Sequence, residues 1–255
     1  MTAARVCRIV VLGASNVTRG FPTVVSTIRA AWGPDVQILA AHGYGRSYGA
    51  PSRVLVRTLP GILESGLWQA LDSLPGAPAR AYLSDVGNDI LYGYPPEQIL
   101  AWVEEVVARL QRHGADITLT DLPVASVHRL STARFLVFRS LFFPFCRLPL
   151  VRVREAAEAV SAGLAKLAAS RNMRFFRPPS TWYGLDPIHI RRSLARTAWQ
   201  AILGTGVPSP AGDASIPERV RLFFLRPERR WLFGIEQRTP QEGAALPSGG
   251  RIWLY

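Results

Sequence analysis

Four short stretches of the chain carry residue types suited to acyl transfer. The first is Gly13-Ala-Ser15-Asn-Val-Thr-Arg-Gly20, where a serine falls between an apolar run and a helix-like one. A hydroxyl held there sits on rigid elements, and the helix start adds free N–H groups and positive potential. Taken alone, a serine at that turn reads first as a helix cap. The second stretch is His42-Gly43-Tyr-Gly45-Arg-Ser-Tyr-Gly49. Its glycines permit a tight turn and close backbone approach to a ligand, so a backbone N–H there suits an oxyanion. A plain glycine-rich loop is the simpler reading. The third is Ser84-Asp-Val-Gly-Asn88-Asp-Ile90. Its neutral carboxamide can donate to developing negative charge, although Asn and Asp are also common turn residues. The fourth is Tyr183-Gly-Leu-Asp186-Pro-Ile-His189-Ile190. An imidazole with a carboxylate three residues earlier is an oriented general base. The other histidines, His42, His113 and His128, read as structural or solvated, with His128 a lesser candidate for the site.

What gives these stretches joint meaning is the set of elements that precede them. Five runs read as buried strands: Cys7–Gly13, Val36–Ala41, Ala79–Asp85, Asp116–Leu122 and Asn172–Arg177. They are nearly continuous in apolar residues, as expected of strands covered on both faces. Helix-like segments separate them: Val17–Trp32, Ser52–Leu74 broken by Pro60-Gly61, Pro96–His113, Arg152–Arg171 and Ile190–Leu203. In Pro96–His113 the apolar positions Ile99, Trp102, Val103, Val106, Val107 and Leu110 recur at helical spacing. Alternation of strand and helix predicts a parallel sheet with helices on both faces. Ligands of such sheets bind outside the carboxyl ends of the strands. The four stretches follow four different strands and so share one edge, where nucleophile, base and oxyanion donors can meet.

Two segments stand outside the alternation. Residues 126–151 are rich in Phe, Leu and Arg and are long for a connection, which suggests a lid or buried cap, with a membrane-surface or partner contact as the alternative. After Gly204, Pro208-Ser-Pro-Ala-Gly-Asp213 reads as a linker; Arg219–Leu225 and Trp231–Gln237 flank Arg226-Pro-Glu-Arg-Arg230 as a predicted hairpin, and Arg251–Tyr255 as a further strand. The expected division is a hydrolase-like domain over 1–207 and an extension over 208–255.

Composition narrows the classes. The chain has 255 residues, 48% hydrophobic and 19% charged, which suits one globular α/β domain. The first ten residues lack the basic start, apolar core and cleavage site of a signal peptide, which points to a cytoplasmic location. Two cysteines, Cys7 and Cys146, read as buried free thiols. The formal charge of +12 comes almost wholly from arginine, Lys166 being the only lysine. No nucleic-acid motif accompanies that charge, and no nucleic-acid partner is expected. No metal-ligand spacing, Walker loop or Gly-x-Ser-x-Gly elbow occurs, since Val17 stands where the elbow needs glycine. No cofactor is expected.

The four blocks GASNVTRG, HGYGRSYG, VGNDILYG and DPIH resemble, in order and character, those of the SGNH hydrolases, also called GDSL-type esterases and lipases. The resemblance spans roughly Arg8–Leu203. It implies a three-layer α/β/α flavodoxin-like sandwich with a five-stranded parallel sheet. It implies Ser15 as nucleophile, Asp186 and His189 as its acid–base partners, and an oxyanion hole from the Ser15 N–H, the Gly45 N–H and the Asn88 side chain. Gly43 is the alternative to Gly45. Two positions depart from the pattern: Ala14 lacks the carboxylate that often precedes the nucleophile, and Val86 stands where glycine is usual. The implied substrate is a small-molecule ester. An O-acyltransferase with the same triad and a catalytically silent membrane-surface or partner-binding domain are the rival readings.

Overall fold

The computed structural model describes residues 7–74, 79–205, 215–246 and 249–255. The expected boundary at 207–208, its linker over 208–213 and the first six residues lie outside them. The chain runs through β1 (Arg8–Leu12), α1 (Ser15–Trp32), β2 (Gln37–Ala41), β3 (Ser52–Val54), β4 (Arg57–Leu59) and α2 (Leu67–Ser73). Next come β5 (Ala79–Leu83), α3 (Asn88–Leu91), α4 (Pro96–Arg112) and β6 (Asp116–Thr120). Three helices, α5 (Val124–His128), α6 (Thr132–Phe142) and α7 (Leu150–Ser170), lead to β7 (Arg174–Phe176) and α8 (Ala195–Leu203). The tail holds α9 (Ile216–Phe224), β8 (Arg229–Leu232), β9 (Ile235–Arg238), β10 (Ala244–Ala245) and β11 (Arg251–Leu254).

The five predicted strands are β1, β2, β5, β6 and β7, and they lie parallel in the order β2-β1-β5-β6-β7. The sheet has seven strands rather than five. β11 adds in parallel beside β2, with Ile252 opposite Ile38, and β10 adds antiparallel beyond it. Strand alternation sends Val10, Leu12 and Leu83 to one face, against Val103 and Val106 of α4 and Val160 and Leu164 of α7. It sends Ile9, Val11 and Ile252 to the other, against Val24 and Ile28 of α1 and Trp199 and Ile202 of α8. Each such side chain contributes about 1.5–3 kcal/mol when fully buried. The result is the three-layer α/β/α arrangement, and it leaves the carboxyl ends of the strands open.

Three local expectations change. Ser52–Leu74 does not form one broken helix: its first part is the β3–β4 hairpin, and only Leu67–Ser73 is α-helical. The hairpin's partner is β8, so the pairing that selects strand over helix comes from the far end of the chain. Arg219–Leu225 is not a strand: the helix α9 covers Arg219–Phe224, Ser215 accepting from the Glu218 N–H at 3.4 Å as its cap. Ser215-Ile-Pro-Glu218 is the sequence of a capping box with proline at the helix start. The tail hairpin is β8–β9 around Phe233 and Gly234, both at positive φ (52° and 82°), as a tight two-residue turn requires. Cys146 is buried and Cys7 half-buried, both as free thiols. No described helix is long and apolar enough to cross a membrane.

Gly20 lets α1 and α8 approach closely: a Cβ there would stand 2.2 Å from Trp199 Nε1. Trp199 is almost fully buried and has nowhere to retreat. Gly20→Ala is therefore expected to destabilise the fold by about 1–3 kcal/mol through overpacking, outweighing alanine's better helix propensity. Thermal denaturation checks this; an unchanged or raised Tm would show that the contact is not tight.

Candidate active site

Ser15 is the first residue of α1, directly beyond the end of β1. Gly13 makes the approach possible, because a Cβ there would meet Val17 Cγ2 at 2.6 Å and Ser84 Oγ at 2.9 Å. The Ser15 side chain is not the helix cap. The cap position is Ala14, which offers no side-chain bond. The capping is done from the neighbouring strand by Asp85, whose Oδ2 accepts the Ala14 and Asn16 N–H groups at 2.9 Å each and the Val17 N–H at 3.4 Å. A carboxylate at a helix N-terminus answers both the unpaired donors and the helix dipole. Asp85 reaches them from a left-handed backbone, φ 61°, a conformation Asp tolerates better than most residues.

Freed from capping, Ser15 Oγ lies 2.8 Å from His189 Nε2. His189 Nδ1 lies 2.6 Å from Asp186 Oδ2. Asp186 Oδ1 accepts the N–H groups of Ile188 (3.2 Å) and His189 (3.1 Å), which folds this loop around its own carboxylate. Burial raises the Asp186 carboxyl, but the bond and charge of His189 and the two N–H donors outweigh it, and its pKa is lowered overall. The loop is stitched to the Ser15 turn by Asn16. Its Nδ2 donates to Asp85 Oδ1 (2.7 Å) and to the Ile188 carbonyl (2.9 Å), and its Oδ1 accepts the Ile190 N–H (2.9 Å).

Asn88 begins α3 beyond β5, and its Nδ2 is buried with no protein partner. An unpaired buried donor is costly, on the order of 1–3 kcal/mol, and marks a place where a ligand is expected. Ser15 and Asn88 both line an open cleft, otherwise largely apolar through residues such as Leu122, Val127, Val153 and Tyr183. Gly45 sits in the loop after β2 with φ 66°, its carbonyl accepting from Tyr92 Oη at 2.5 Å. Neither Gly45 nor Gly43 lines the cleft. Beside Asn88, Asp89 is fully buried and accepts the Tyr48 N–H at 3.0 Å, tying the glycine-rich loop to α3. Burial pushes its carboxyl up to about 6, partly offset by the Ser47 hydroxyl and the Tyr48 N–H.

The other histidines go elsewhere. His42 is buried against Phe21 with Nδ1 3.0 Å from Thr18 Oγ1, and burial, then Arg46 and Arg57, hold it down to about 3. His113 faces Asp72 at 3.1 Å, and His128 faces Glu158 at 2.7 Å. Residues 126–151 do reach the site: the Phe142 ring meets His189 edge-on at 6.0 Å.

Sequence reasoning passed over Asp85 and Asn16, although both stand inside the quoted blocks. The available signal was a carboxylate at the carboxyl end of the strand beside the Ser15 turn. Asp85→Ala leaves the Ala14 and Asn16 N–H groups without their acceptor. The expected outcome is a loss of about 1–3 kcal/mol of stability and a drop in turnover of roughly a hundredfold, as the Ser15 hydroxyl drifts from His189. Denaturant titration and steady-state kinetics on a soluble ester read the two effects; full turnover in Asp85→Ala would show that the clamp does not position Ser15.

No protein-family model matches the sequence, and no curated protein matches it. Solved structures do. An aryl esterase from M. smegmatis, determined with inhibitor bound, shares 14% identity with a TM-score of 0.51, over 77% of this chain and 97% of that one. A second solved structure shares 13% identity with a TM-score of 0.53, over 78% and 96%. TesA shares 16% identity with a TM-score of 0.47, over 79% and 98%. At these identities the likeness is one of architecture: the chain shares the three-layer α/β/α fold of the aryl esterase.

Proposed function

We propose that this chain is a serine hydrolase that cleaves a carboxylic ester, with Ser15 as nucleophile. One observation carries the reading: the unbroken chain of contacts from Ser15 Oγ through the His189 ring to Asp186. A serine hydroxyl is a weak nucleophile until a base takes its proton. Asp186 accepts the Nδ1–H of His189, which leaves Nε2 as the acceptor facing Ser15. The proton passes to Nε2 as Oγ attacks the ester carbonyl carbon. Asp186, its pKa lowered, stays ionised opposite the imidazolium that results. The carbonyl oxygen, now negative, would be held by the Ser15 N–H and the Asn88 Nδ2, which is buried without a partner, with the Gly45 N–H as the proposed third donor. Collapse expels the alcohol, which takes the proton from Nε2. Water then repeats the sequence and frees the acid. The apolar cleft beside Ser15 and Asn88 suits an apolar acyl group, and the chemistry needs no cofactor.

A fluorophosphonate probe is expected to label the wild-type protein and to leave Ser15→Ala unlabelled, read by in-gel fluorescence. Labelling that persists in Ser15→Ala, or none in the wild type, would remove Ser15 as nucleophile. Asn88→Ala is expected to lower kcat by roughly 10²–10³-fold with little change in stability. Wild-type turnover in that variant would refute the oxyanion assignment.

A further inference from the structure

We infer that the surface formed by α6 and the turn after it docks onto an anionic lipid layer, presenting the site to esters held in that layer. The lipid docking stands on the surface alone; only the substrate rests on the hydrolase reading.

α6 is apolar nearly all round, yet Phe135 is its only buried residue. Leu136, Val137, Leu141 and Phe142 are exposed, and Phe145 in the following turn is 88% exposed. Side chains standing out from a helix form no groove for a single shaped ligand. A lipid layer accepts them in any arrangement. The charge around them selects the kind of layer. From Leu122 to Arg154 the chain has no Asp or Glu, and it has six arginines. Arg129, Arg134, Arg139 and Arg154 donate to backbone carbonyls rather than to carboxylates. The acids flanking the segment are engaged: Asp121 with Arg177 at 3.6 Å and Glu155 with Arg152 at 2.9 Å. Glu158 faces His128. The face therefore keeps its positive charge beside its apolar tips, the pairing that anionic headgroups over acyl chains satisfy. A second copy of the chain would set the same arginines against one another.

The location gives the surface a role. Phe142 stacks on Phe138 of the exposed helix and meets the His189 ring edge-on. Arg134 donates to the carbonyl of Leu185, one residue before Asp186, and Leu185 is itself exposed. A layer covering α6 therefore lies against the loop that carries the acid and the base.

The test is co-sedimentation with vesicles of phosphatidylcholine, with and without phosphatidylglycerol. The wild-type protein is expected to pellet with the anionic vesicles, to stay in solution with neutral ones, and to release as salt is raised. Leu141→Glu with Phe145→Glu is expected to lose pelleting while keeping the wild-type rate on a short soluble ester; Leu141→Ser with Phe145→Ser serves if the charged pair fails to fold. Phe223→Glu on α9, another exposed aromatic, is expected to pellet as the wild type does. Failure of the wild type to pellet, pelleting retained by the α6 variants, or loss on α9 alone would overturn the inference. So would self-association of the wild type that the α6 variants abolish. Vesicle binding without any ester hydrolysis would sink the hydrolase reading and leave the surface standing; hydrolysis without binding would do the reverse.

Discussion

The site hangs on the carboxylate of Asp85. A parallel sheet delivers the ends of β1 and β5 side by side, but it does not fix how the chain turns from β1 into α1. Asp85 does that, by accepting the N–H groups on either side of Ser15 while leaving the Ser15 N–H itself unclaimed. One negative charge thus caps the helix and frees the serine hydroxyl for His189. Asn16 extends the same clamp to the Asp186–His189 loop. Ser15 and His189 are thereby held in one hydrogen-bonded frame, although 174 residues separate them in the chain. Charge-assisted bonds of this kind are strong and directional, which suits a geometry with little tolerance. Ala14 can dispense with a carboxylate of its own because Asp85 supplies one from the next strand.

What the sequence made legible follows from how local each signal is. The five central strands could be read because burial on both faces leaves unbroken apolar runs. That Ser15, His189 and Asp186 meet, with Asn88 on the same cleft as Ser15, could be expected because each stands in a short block that follows a strand. Asp85 was in view as a residue but not as a clamp, since its partners lie across a strand pair and its role depends on a left-handed backbone. The β3–β4 hairpin escaped detection because its pairing partner, β8, is remote in sequence, and a run like Ser52–Leu59 is ambiguous without it. α9 is the opposite case: the run Arg219–Phe224 alone suits a strand, and the cap Ser215 with Pro217 just before it is the local signal that selects the helix. Gly45 could be placed in its loop by sequence, while the bond from Tyr92 Oη to its carbonyl joins residues 47 apart and could not.

A second sheet, in the order β3-β4-β8-β9, joins the tail to the hairpin after the glycine-rich loop, and side-chain bonds add to that link. Arg46, fully buried, donates to the backbone oxygens of Pro60 (3.2 Å), His42 (3.4 Å) and Tyr255. Burial, with Arg57 nearby and Glu228 opposing, lowers its pKa to about 9. A cation in that position is held by carbonyls from three separate parts of the chain, so the loop's shape depends on the tail being in place. Glu228 adds a further link by accepting the Gly66 N–H at 3.0 Å.

The placement of β11 also bears on how the molecule is made. Without β11 the β2 edge of the sheet would be unpaired; among the described residues, 251–254 cover it. During synthesis β2 (Gln37–Ala41) emerges long before β11 (Arg251–Leu254), which covers it. Throughout that interval the nascent sheet presents an unpaired row of N–H and C=O groups, the kind of surface on which a second chain can template.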